Sequence, residues 1–330
     1  MNKQGQVIIS YILSKTMFFG LGASYIIGNA KQNSWLAIIL GYLFGLIVLH
    51  FLMKKRLDII NKNILGKMAY FVLIFFILIN AILSFTVHTI NFYLPETPTL
   101  LISFSFLSVI IYGSDKGFEG FKRLCEIIIF IGVTLSILGW IGNFNNIDLN
   151  NFYPLLYGFD FNLVVAVLAT MVFSVSPLLL FLMIRSEYDK KCIYLGYLLG
   201  LLNSFMVILS TVGTLGITLS SIYRYPEYIA YKKISAFNII ERVENVLSSV
   251  WLMDMTILGI LSLLCLRKCC SKNITYIISF ICTFLTVYYF IDIYQNTVFI
   301  YKYTIYFLLG SIIITLLATK KEPKLLDSNS

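Results

Sequence analysis

Apolar residues run through this chain in long blocks separated by short polar stretches, with neither the stripe of a surface helix nor the alternation of a half-buried strand. Ten such blocks predict ten membrane-spanning helices, at 7–28, 35–53, 68–93, 99–112, 119–141, 161–184, 192–222, 245–266, 274–291 and 301–319. Most are long enough to cross about 30 Å of hydrocarbon as a helix. Lipid offers backbone groups no hydrogen bonds, so the helix is the form these blocks must take. The fourth block is short and the seventh long, and the end of the seventh is a candidate for an extension outside the bilayer.

Composition agrees with an all-α integral membrane protein forming one transmembrane domain over 1–330. Hydrophobic residues make up 59% of the 330 and charged residues 12%, against about 25% charged in a soluble domain. The mean hydropathy is +0.86. A net charge of +9 would suit nucleic acid if the Lys and Arg residues clustered on one reading face, but they sit in short loops between spans, so no nucleic-acid partner is expected. The six cysteines, Cys125, Cys192, Cys265, Cys269, Cys270 and Cys282, have neither the spacing of a secreted disulfide framework nor that of a zinc site. Only two histidines occur, His50 and His88, and no nucleophile has a plausible base beside it. The expectation is a protein that is not an enzyme and uses no cofactor or metal.

Charge sets the orientation. Eighteen Lys and Arg residues fall on one side of the ten spans and six on the other, with Lys15 inside the first span. The positive-inside rule then puts both termini in the cytoplasm. Lys3 followed by an apolar block has the look of a signal peptide, but no small-residue cleavage site follows, so it reads as an uncleaved first helix. Of the two long outer loops, 143–160 carries no Lys or Arg, and 223–244 mixes charges and suits a short amphipathic helix over the outer mouth.

Five spans lie in 1–142 and five in 161–320, divided by the outer loop 143–160 and followed by a short cytoplasmic tail, 321–330. An odd number per half inverts the second half relative to the first, the topology of a five-plus-five inverted-repeat transporter of the LeuT or amino acid permease kind. The first span of each half carries a weak point. Span 1 has Gly20, Gly22, Ala23 and Ser24; span 6 has Phe173, Ser174, Val175, Ser176 and Pro177. Glycines loosen a helix and proline removes a donor, so both spans are expected to be interrupted and their free ends to face a small polar ligand. Helix packing alone is the competing account of such residues.

Lys15 and Asp254 are the costliest residues, each near the middle of a span. Spans 1 and 8 are neighbours in a five-plus-five fold, so the two are candidates to pair or to share an ion-coupling pathway. Against pairing, Lys15 is nearer the cytoplasm by about 7 Å, and it has the option of snorkelling inward. His88 lies in span 3 with Asn80 and Ser84 on the same face, which makes Ser84 and His88 either a wall of a ligand cavity or an ordinary interhelical polar contact.

Several motifs, in order, are similar to those of the B-subunit family of spore nutrient germination receptors, the endospore germination permeases of the amino acid/polyamine/organocation transporter superfamily. They are Gln32 to Trp35 with Gly41 and Gly45; Arg123, Leu124, Cys125, Glu126 and Ile127; Asn151 with Pro154, Leu155 and Leu156; and Tyr225, Pro226, Glu241, Arg242 and Glu244 followed by Trp251. The resemblance implies a subunit of the spore inner membrane, assembled with a larger A-subunit and a C-subunit lipoprotein. It would bind a small germinant, often an amino acid, in an outward-facing pocket between spans 1 and 6 and trigger ion release and germination. Ser174, Val175, Ser176 and Pro177 stand where many members carry a glycine and an acidic residue, a departure that bears on ligand identity and ion coupling. An independent cation-coupled amino acid permease and a scaffolding membrane subunit are the two alternatives.

Overall fold

The architecture, taken from a computed structural model, is described for residues 2–19, 21–54, 64–156, 158–184, 188–234, 243–291 and 297–318. Gly20, Lys55, Arg56, Lys62, Arg185, Glu241, Arg242 and the tail at 321–330 lie outside these residues. Among the described residues the secondary structure is helical throughout: α1 (Lys3–Thr16), α2 (Leu21–Ala30), α3 (Ser34–Leu52), α4 (Ile64–Phe92), α5 (Thr99–Asp115), α6 (Gly117–Asn143), α7 (Phe161–Ile184), α8 (Lys190–Ile222), α9 (Pro226–Tyr231), α10 (Val243–Cys269), α11 (Lys272–Leu285) and α12 (Thr297–Ala318). Six segments among the described residues are long and apolar enough to cross a membrane, and Thr99–Asp115, Lys272–Tyr288 and Tyr303–Leu317 are shorter apolar helices. This is a multi-pass membrane protein.

The first span is interrupted. Helix α1 stops at Thr16, Met17 to Phe19 form a turn in which the Phe18 N–H donates to the Lys15 carbonyl at 3.0 Å, and α2 starts at Leu21. Gly22 lies just beyond the turn, where a Cβ would sit 2.3 Å from the Met17 carbonyl oxygen. Only glycine fits that approach.

The sixth span differs from expectation, for α7 is one helix from Phe161 to Ile184 with Pro177 inside it. The serine hydroxyls beside the proline are satisfied within the helix. Ser174 Oγ donates to the Thr170 carbonyl at 2.9 Å and Ser176 Oγ to the Val172 carbonyl at 2.7 Å. These bonds tie the turns around the proline to their own backbone. Helix α7 is also the most enclosed of the long apolar segments, so unwinding it would strand backbone groups inside the bundle.

The break in the second half falls instead in α8. That helix has 33 residues, about 50 Å at 1.5 Å each, and Gly216 inside it has φ +71° and ψ 169°, a conformation open to glycine. Two loops receive the carbonyls this leaves over. The Gly213 oxygen accepts from the Asp148 N–H at 2.9 Å and from Asn151 Nδ2 at 2.7 Å, and the Thr214 oxygen accepts from Lys233 Nζ at 2.8 Å. Asn151, conspicuous in the sequence as part of a loop motif, thus fixes a helix kink.

Helix α1 packs most closely on α8. Gly196 and Gly200, four residues apart, present a smooth face to Ser10 and Ser14 of α1. A Cβ on Gly196 would lie 2.5 Å from the Val7 carbonyl oxygen. At one end the pair is tied by Asp189, whose N–H donates to Gln6 Oε1 at 2.7 Å and whose carboxylate lies 3.5 Å from Lys3 Nζ.

Candidate functional site

Lys15 occupies the last turn of α1, directly before the break, where a cation also complements the helix dipole. Its ammonium group donates to Asp254 Oδ2 on α10. Both side chains are buried, 4% and 1% exposed, so the charges can persist only as a pair: each would cost several kcal/mol alone in so dry a place. The offset in depth that argued against pairing is spanned by the lysine stem. Phe19 and Tyr11 flank the ammonium with their rings at 5.2 and 5.4 Å. The Tyr11 hydroxyl accepts from Asn203 Nδ2 of α8 at 2.8 Å.

The pair borders a buried cavity of about 50 Å³, room for a few water molecules and far below the roughly 300 Å³ of an ordinary ligand pocket. His88 of α4 and Trp251 of α10 form its far wall, and Glu227, Tyr228 and Tyr231 of α9 close it from above. The short helix expected in the loop 223–244 is α9, opened by Pro226 at its first turn.

His88 sits in an aromatic box. Its ring lies 4.8 Å from both Phe92 and Trp251 and 5.0 Å from Tyr225. The box is fastened at its rim: Tyr93 Oη donates to the Asn245 carbonyl at 2.6 Å, and Tyr228 Oη to Asn245 Oδ1 at 2.6 Å. Around the cavity, both His88 ring nitrogens, Trp251 Nε1 and Asp254 Oδ1 have no hydrogen-bond partner among the described residues. All belong to residues that line the cavity and are less than one-tenth exposed. Buried polar atoms without partners are costly, so a cluster of them marks a place shaped for something else.

Of the candidate residues, the structure brings Lys15, His88 and Asp254 together on this cavity. Gly22, Ala23, Phe173, Ser174, Val175 and Ser176 are buried in the packing of α2 against α7, and Ser24 is half-buried. Ser174 Oγ is 2.7 Å from Tyr197 Oη, and Ser176 Oγ is 3.7 Å from Met17 Sδ. Ser84, on the face of α4 below His88, is fully buried. Glu227, Tyr228 and Trp251 line the site and were reached in the sequence only as loop or motif positions; a short helix rich in aromatics beside a mixed-charge loop was their signal. Among the described residues no three His, Cys, Asp or Glu side chains gather into a metal site.

A family model for spore germination proteins matches residues 5–325 of the chain. The chain is also 27% identical over 243 residues, covering 68% of it and 67% of the relative, to YfkT of Bacillus subtilis (strain 168), a candidate spore germination protein.

Proposed function

The chain belongs to the spore germination protein family, and from that premise we propose that it is a ligand-sensing subunit of a nutrient germinant receptor. A small molecule, an amino acid in the simplest case, binds in the buried cavity beside the break in the first span. Binding shifts the subunit between closed and open states, and partner subunits of the A-type and the C-type lipoprotein turn that shift into ion release and germination. The fold in this reading is the ten-span, five-plus-five inverted repeat, with both termini in the cytoplasm and the protein in the inner membrane of the spore.

The observation that carries the reading is the convergence of Lys15, Asp254, His88 and Trp251 on one cavity at an interrupted helix. A ligand that gives those polar atoms partners has different contacts in the two states, which is what a sensor requires. The packing of Gly22, Ala23, Ser24 and the Phe173 to Ser176 segment lies behind this cavity and governs how far α2 and α7 part. A cation-coupled permease is the second reading, favoured by one feature: an ionisable pair facing a cavity inside the membrane.

Spores carrying Asp254→Asn or His88→Ala, tested against a panel of amino acids with subunit abundance followed by immunoblot, decide between cavity and no cavity. Loss or change of response at normal abundance is expected. A normal response would remove the site. Uptake of labelled amino acid by the purified protein in proteoliposomes would favour the permease over the sensor.

A further inference from the structure

The Lys15–Asp254 pair has a lopsided geometry. Lysine takes Oδ2, while Oδ1 of the same carboxylate has no donor among the described residues and belongs to a side chain that lines the cavity. The carboxylate is 1% exposed. An ionised oxygen in such a place calls for a hydrogen-bond donor, preferably a charged one. The walls suit a cation as well, since Phe19, which lines the cavity, already holds the lysine ammonium over its face and Trp251 faces the same space. Yet the cavity, at about 50 Å³, has no room for a second cation of amino acid size while Lys15 stays in position.

From these observations we infer that Lys15 is a built-in surrogate for the ammonium group of the ligand, and that a ligand amine binds by taking Asp254 from it. The inference rests on the cavity being the ligand site. One ammonium leaves the carboxylate as another arrives, so Asp254 is never left bare, and the charge set free is that of Lys15. The freed Lys15 ammonium then stands ready for an anionic group on the same ligand. Because Lys15 lies in the last turn of α1, letting go of Asp254 uncouples α1 from α10 at the break, while the close glycine face of α8 keeps hold of α1. The surrogate also sets the threshold of response, since a ligand must outcompete a tethered amine.

The test uses the purified full-length protein in lipid nanodiscs and methylammonium as the probe, with sodium at equal ionic strength as the control. Binding is read from the rise in melting temperature with probe concentration. The wild type is expected to bind weakly, with a measurable midpoint. Lys15→Gln, which removes the competing charge, is expected to lower that midpoint about tenfold, as it would if the surrogate holds Asp254 in about nine molecules of ten. Lys15→Arg is expected to do the opposite, because its fork fills both carboxylate oxygens and leaves no acceptor for the probe. Asp254→Asn is expected to abolish binding in every background.

A wild type that shows no methylammonium-specific shift overturns the inference, as does a Lys15→Gln midpoint equal to the wild type or a response that survives Asp254→Asn. Should Lys15→Gln fail to fold, the Lys15→Arg protein decides, and a wild-type midpoint there overturns it. The sensor reading fails separately: it falls if spores carrying His88→Ala or Asp254→Asn germinate normally, whatever the amine-binding result. If those spores lose their response while Lys15→Gln binds methylammonium no better than wild type, the sensor stands and the surrogate falls.

Discussion

Lys15 and Asp254, 239 residues apart in the chain, are hydrogen-bonded to each other in the interior of the bundle, one at the end of a broken helix and the other within a continuous one. That bond links the first half of the protein to the second at the wall of its buried cavity. Its energetics follow from its dryness. Removing one partner leaves the other uncompensated, which costs about 3–5 kcal/mol, whereas replacing both removes the charges together.

Lys15→Gln and Asp254→Asn are therefore each expected to reduce resistance to unfolding in detergent strongly, and the double variant to be better tolerated than the sum of the two. A double-mutant cycle measures the difference. Strict additivity would mean that the two side chains do not interact.

His88→Phe should separate stability from sensing. The imidazole brings two nitrogens without partners into an aromatic box, and a phenyl ring of similar shape removes that burden. The melting temperature is expected to hold or rise while the ligand response falls. A fall in both would show that the histidine serves packing.

Which features were legible beforehand follows from how loudly each speaks in one dimension. Charges in an apolar block cannot hide, so Lys15 and Asp254 stood out, and the two glycines at 20 and 22 announced a break in the first span. Pro177 announced one too, but α7 stays continuous because its neighbours enclose it, and that enclosure is a property of the packed bundle and not of the sequence around the proline. Gly216 was one glycine among 20; what makes it a kink is the arrival of Asn151 and Lys233 from two separate loops. The face formed by Gly196 and Gly200 has a readable four-residue spacing, yet only the structure names α1 as its partner.

Asn151→Ala tests that kink. The Gly213 carbonyl would lose one of its two donors, at a cost of about 1 kcal/mol. A modest fall in melting temperature with normal membrane insertion is expected; no change would mean that the Asp148 N–H alone suffices.

Asp189 gives a pH-dependent effect outside the membrane. Its carboxyl is held below the usual carboxylate range, first by the backbone N–H of Lys191, which it caps at 2.9 Å, and then by Lys3. A depressed folded-state value means that the stabilisation is present above the unfolded value, about 3.9, and is lost as pH falls through the folded one. The difference in melting temperature between wild type and Asp189→Ala is expected to be largest near neutrality and to shrink below about pH 4. A gap that does not move with pH would assign the effect to shape alone.

The interruption of the first span has a mechanical meaning. A continuous helix carries twist and thrust from end to end as one rod. Cut at Met17 to Phe19, the span becomes two levers on a common fulcrum, one clasped by α8 and the other resting on α7. In the sensor reading, a push at the fulcrum would reach one lever without dragging the other, a moving part set in an unmoved frame.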